Sequence, residues 1–190
     1  MTSEPLRALV PVIEVLRALD VAYAIGGSMA SSVFGEPRST ADIDILAELG
    51  SHHVTAFVSA LADSFYVHEE AVRDAVRRRA SFNLVHQESM CKVDVFIASD
   101  DLLDREQIAR RCSVVILDDI AFDVTAPENI VLRKLAWYRA GGGVSDRQWR
   151  DIQGVLKQQA GALDWDYMRR IADASGIRDL LDRAQSETGD

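Results

Sequence analysis

Ile25-Gly-Gly-Ser-Met-Ala-Ser-Ser-Val-Phe-Gly-Glu-Pro-Arg-Ser-Thr-Ala-Asp-Ile-Asp-Ile45 joins a glycine turn to an Asp-x-Asp pair through a short helix-forming run. Residues 21–25, Val-Ala-Tyr-Ala-Ile, read as a short strand. A helix is expected from Ser28 to about Phe34, ended by Gly35 and Pro37, and a second strand over 41–46. Side chains alternate along a strand, so Asp42 and Asp44 point one way while Ile43 and Ile45 point the other. The isoleucines can pack on a helical layer, which leaves the acids to face solvent, a metal or a partner. Two carboxylates this close repel, and a divalent cation relieves the repulsion. Mg²⁺ takes one or two carboxylates and completes its shell with phosphate oxygens and water. Gly26 and Gly27 allow close backbone approach, and the helix that follows offers unpaired N–H groups at its positive end. The Ser28 hydroxyl can donate to a terminal phosphate oxygen, or serve as the helix N-cap.

A second acidic strand follows the same pattern. In Lys92-Val-Asp-Val-Phe96, alternation sets Lys92, Asp94 and Phe96 against Val93, Val95 and Ile97. If the two acidic strands are neighbours, three carboxylates converge and Asp94 is a third metal ligand. The competing reading pairs Asp94 with Lys92. Arg38 can grip triphosphate oxygens, and Thr40 reads better as a loop anchor than as a substrate contact. Lys134 shares a helix face with Ile130 and Trp137, where it either reaches phosphates or snorkels over apolar surface. Asp146, Arg147, Arg150 and Asp151 suggest two i,i+4 ion pairs on one helix, with Asp151 also able to orient Lys134 or Arg38. The run Arg73, Arg77, Arg78 and Arg79 could bind an acidic partner or nucleic acid, but such a charge run on one helix is usually a solvated face.

The remaining pattern is mixed, then helical. Helices are expected over 5–19, 51–62, 69–79 and 101–110, and strands over 81–86 and 91–97. Residues 113–124 are β-rich around Asp118-Asp119. From Pro127 onward only helices are expected, near 127–140, 146–159, 164–174 and 177–186. The expected organisation is an α/β (α+β) core over 1–125 and a helical C-terminal region over 126–190. With 190 residues and 48% apolar content, one domain with a helical extension is affordable. A net charge of −9 disfavours broad nucleic-acid binding and suits a cationic ligand. Cys91 and Cys112 read as buried thiols of a reducing cytoplasm. The sequence shows neither a signal peptide nor an apolar run of membrane-spanning length.

Ile25-Gly-Gly-Ser28, Asp42-Ile-Asp-Ile45 and Lys92-Val-Asp-Val95 together resemble the polymerase-beta-like nucleotidyltransferase superfamily. Arg38-Ser-Thr-Ala-Asp-Ile-Asp44, Pro127-Glu, Lys134-Leu and Arg150-Asp-Ile152 look like its small prokaryotic members, which include AbiEii-type toxins. The resemblance implies a mixed sheet with helices on one side and an active site on the open face. It implies an NTP donor such as ATP, Mg²⁺ (or Mn²⁺) as cofactor, and NMP transfer to a hydroxyl with release of pyrophosphate. Asp42, Asp44 and Asp94 would be catalytic and metal-binding, and Gly26, Gly27, Ser28, Arg38, Thr40 and Lys134 nucleotide-binding. The acceptor would be a small molecule, a tRNA end or a protein side chain. The alternatives are a toxin that needs an antitoxin partner, and a nucleotide-binding protein of the same fold without turnover.

Overall fold

Ile43, Ile45, Val93, Val95, Phe82 and Leu84 recur at alternate positions, and all are buried on one face of a single sheet. The structure is a computed structural model that describes residues 3–38, 42–117 and 120–189. Thr40 and the Asp118-Asp119 pair lie outside the described residues. The strands are β1 (Tyr23–Ile25), β2 (Asp42–Ala47), β3 (Phe65–Tyr66), β4 (Ser81–His86), β5 (Lys92–Ile97), β6 (Cys112–Leu117) and β7 (Ile120–Val124). Among the described residues they form one seven-stranded sheet in the order β3-β4-β5-β2-β1-β7-β6. β2 runs parallel to β5 and β1 parallel to β7, while the other neighbours are antiparallel. β3 was not expected, because a two-residue strand carries no periodic signal.

The helices are α1 (Ser3–Ala18), α2 (Gly27–Phe34), α3 (Val54–Leu61), α4 (Glu69–Arg78), α5 (Leu102–Ala109), α6 (Pro127–Ala140), α7 (Asp146–Gln158), α8 (Trp165–Ala174) and α9 (Arg178–Thr188). Their apolar faces and the buried sheet face make one continuous hydrophobic cluster, from Leu9 and Ile13 through Ile45 and Val95 to Leu132 and Met168. The four C-terminal helices therefore share a core with the α/β part. β7 ends at Val124 and α6 starts at Pro127, where the change to helix is expected. Pro127 suits the first helical turn, where its missing N–H leaves no bond unmade.

The other face of the sheet carries the acids. Its far end is covered by α5, whose Ile108 packs on Ala24, Leu46 and Phe96. The rest of that face stays open, which positions the site. Cys91 and Cys112 are half-buried rather than buried. Burial pushes the Cys112 thiol up. No helix among the described residues is long and apolar enough to cross a membrane.

Candidate active site

The glycine turn and the acid pair are one interlocked unit. Gly27 opens α2 at φ +57°, a conformation that favours glycine. A Cβ there would stand 1.7 Å from Asp44 Oδ2, so the Asp44 carboxylate occupies the space of the missing side chain. The Gly26 N–H donates to the Asp44 carbonyl at 2.9 Å, which ties the turn to β2. Gly26 is the N-cap, in extended conformation and without a side-chain cap bond. Ser28 lies inside the first turn, so it is not the N-cap. Its hydroxyl instead accepts a hydrogen bond from Arg38.

Parallel pairing of β2 and β5 sets Asp44 opposite Asp94 and Asp42 opposite Lys92. The two acidic strands are neighbours, as the convergence of three carboxylates requires. Lys92 Nζ stands 2.8 Å from Asp94 Oδ2, however. Among the described residues no group of three or more His, Cys, Asp or Glu side chains is gathered as a ligand set. Both sequence readings of Asp94 are thus partly realised: it lies in register with Asp44 and it pairs with Lys92. Burial raises the Asp44 carboxyl above its usual range, and the nearby charges of Asp94 and Asp42 raise it further. Such strain between carboxylates is what a divalent cation relieves, so the Asp42–Asp44 pair fits Mg²⁺. Antiparallel pairing also places Asn83 of β4 opposite Asp94 on this face. Sequence reading missed Asn83, because the alternation of β4 marked only its apolar positions.

Beside the turn, Asp151 of α7 joins two cations from distant parts of the chain. It accepts from Arg38 Nε and Nη2, both at 2.9 Å, and from Lys134 Nζ at 2.8 Å. Lys134 is only 4% exposed, so it does not snorkel. Burial lowers the Lys134 amine, and Asp151 opposes that shift. Burial pushes the Asp151 carboxyl up, but the bonds from Arg38 and Lys134 outweigh it and hold the group below its usual range. The expected Arg147–Asp151 and Asp146–Arg150 side-chain pairs do not form among the described residues. Arg147 and Arg150 instead line a pocket of about 330 Å³ together with Arg38 and Asp151.

A larger cleft, about 620 Å³, opens from Gly27 and Asp44 across the acidic face. Phe96 lines its floor, with Trp137 of α6 beside it at 6.2 Å between ring centroids. Gln107 of α5 lines one end and Arg79 another.

The mixed sheet with its helices is shared with solved structures. The antibiotic-resistance factor ANT(2'')-Ia, solved with adenylyl-2''-tobramycin, matches with a TM-score of 0.56 over 92% of this chain and 98% of its own, at 11% identity. The fold is that of the nucleotidyltransferases. A nucleotidyltransferase-like protein from Paracoccidioides brasiliensis matches with a TM-score of 0.53 over 96% of this chain and 92% of its own, at 17% identity. The lincosamide antibiotic adenylyltransferase LnuA, solved with lincomycin bound, matches with a TM-score of 0.50 over 78% and 94%, at 14% identity. No protein-family model and no curated protein matches the sequence.

Proposed function

We propose that the protein is a Mg²⁺-dependent nucleotidyltransferase that moves a nucleoside monophosphate from an NTP to a hydroxyl and releases pyrophosphate. The observation that carries this reading is the seating of the Asp44 carboxylate against Gly27. It joins the turn that would bind phosphate and the acid that would bind metal in one unit. Bound Mg²⁺ would neutralise the acid pair and the phosphates together. The α2 N-terminus and the Ser28 hydroxyl would hold the triphosphate, with Arg38 and Lys134 at its terminal end. Asp151 positions both cations. In the transfer, the acceptor oxygen bonds to the α-phosphorus. The bond from that phosphorus to the β-phosphate's bridging oxygen breaks, and pyrophosphate leaves with the electron pair. Asp94, in register with Asp44 on the same face, would take the acceptor's proton.

The similar folds of two antibiotic adenylyltransferases support a small-molecule acceptor. A net charge of −9 favours a cationic one, such as an aminoglycoside. A second reading, a toxin acting on a phosphate-bearing acceptor such as tRNA, draws support from exposed Arg147 and Arg150 beside Arg38. Pyrophosphate release separates the two. With NTP and Mg²⁺, tobramycin or lincomycin should stimulate release under the first reading, and tRNA under the second. Release that is equal in wild type and in the Asp42→Asn/Asp44→Asn variant would contradict both.

A further inference from the structure

Arg79 stands apart from the arginine run in which it sits. Arg73 pairs with Glu69, and Arg77 and Arg78 pair with Asp74 on the surface of α4. Arg79 takes the left-handed conformation, φ +52°, at the C-cap of α4. This conformation closes α4, with the Ala80 N–H donating to the Ala75 carbonyl at 3.0 Å. This backbone turn carries the side chain off the helix surface and into the lining of the large cleft. There Nη1 donates to the Ala98 carbonyl at 2.9 Å, which fixes the guanidinium against the end of β5. No carboxylate pairs with Arg79 among the described residues. The cleft's other arginine, Arg133, is held by Asp101 and Asp104.

The inference rests on the nucleotidyltransferase reading, and it concerns the donor base. Ser28, Arg38 and Lys134 stand outside the large cleft, toward α7. A triphosphate with its terminal end at those groups would turn its sugar toward Asp44 and the cleft mouth. Across the cleft the strands run β1, β2, β5, β4. The sugar would then lie over β1–β2 and the base over β5, against Phe96 and Trp137. Arg79, two residues before β4 begins at Ser81, would meet the far edge of the base. A guanidinium only donates hydrogen bonds. Guanine presents two acceptors side by side, N7 and O6, whereas adenine presents N7 beside an amino group that also donates. We propose that Arg79 selects a guanine-type base, so that GTP is the preferred donor over ATP.

The test is titration calorimetry of the full chain with GTP, ITP and ATP in Mg²⁺, on wild type, Arg79→Gly and Arg79→Lys. Glycine suits the φ of this position, so loss of fold does not confound the first variant. ITP keeps N7 and O6 but lacks the guanine amino group. Wild type is expected to bind GTP and ITP at least about tenfold more tightly than ATP. Arg79→Gly should erase that preference by weakening GTP and ITP alone, and Arg79→Lys should restore it only in part. Equal binding of ATP and GTP by wild type, or a preference untouched in Arg79→Gly, overturns the assignment and leaves the nucleotidyltransferase reading standing. Failure of folded wild type to bind any nucleotide overturns both.

Discussion

Gly27 has no room for a side chain, because the Asp44 carboxylate fills the space. Gly27→Ala must displace that carboxylate and adopt a left-handed backbone, which alone costs about 1–2 kcal/mol. The expected outcome is a lowered Tm together with loss of nucleotide binding by calorimetry. Ser28→Ala, which leaves the turn intact, should weaken nucleotide binding without the drop in Tm. Asp151 works differently, through two cations. Asp151→Asn leaves Lys134 buried beside Arg38 without a carboxylate, so a loss of about 3–5 kcal/mol is expected from chemical denaturation. The Asp151 carboxyl is held below its usual range by Arg38 and Lys134. Its stabilising contribution is therefore complete above the unfolded value of about 3.9 and fades as pH falls through the lower folded value. Wild type should lose this contribution below about pH 4, and Asp151→Asn should show a correspondingly flatter acid limb. The partner of Asp151 was open in the sequence for a physical reason. Helical spacing suggests local pairs, whereas the bond to Arg38 spans 113 positions.

Elements meet the site through close backbone contact. A Cβ on Gly35 would stand 2.8 Å from the Ser31 carbonyl and 2.9 Å from Val155 N, so the end of α2 lies directly on α7. Across that contact, Gly154 is itself tight against Glu36. Asp151 precedes Gly154 by about one turn of α7, which sets its carboxylate against Arg38. Gly35→Ala is expected to push α7 away, lower Tm and weaken nucleotide binding, while leaving the Asp42–Asp44 strand intact. Retained affinity in a destabilised variant would show that α7 contributes fold alone. Periodicity made most of these elements readable in the sequence. α6 runs from Pro127 to Ala140 as expected, and β2, β4 and β5 differ from expectation by a residue at most. Two features had no local signal. β3 has two residues, and the approach of α2 to α7 depends on Gly35, which read only as a helix end, and on Gly154, which lay unremarked inside an expected helix. The register that pairs Asp44 with Asp94 follows from β2 lying next to β5, a choice that alternation alone cannot make.

At the scale of the whole molecule, the site draws on both ends of the chain. Gly27, Asp44 and Asp94 come from the α/β part, while Lys134 and Asp151 come from the C-terminal helices. The shared hydrophobic cluster makes these parts interdependent. A chain ended after Val124 would expose the core surface that Leu132, Leu135, Val155 and Met168 now cover. Such a truncated chain is expected not to fold, and the full chain to unfold in one calorimetric transition. Two separate transitions would show instead that the helices form an independent unit. The central claim, that the turn and the acid pair form one NTP·Mg²⁺ site, is tested most directly by titration calorimetry of NTPs. Wild type and Asp42→Asn/Asp44→Asn would be compared with Mg²⁺ and with EDTA. Nucleotide binding that requires both Mg²⁺ and the two aspartates is the expected result. Binding that survives EDTA and the double substitution unchanged would contradict it.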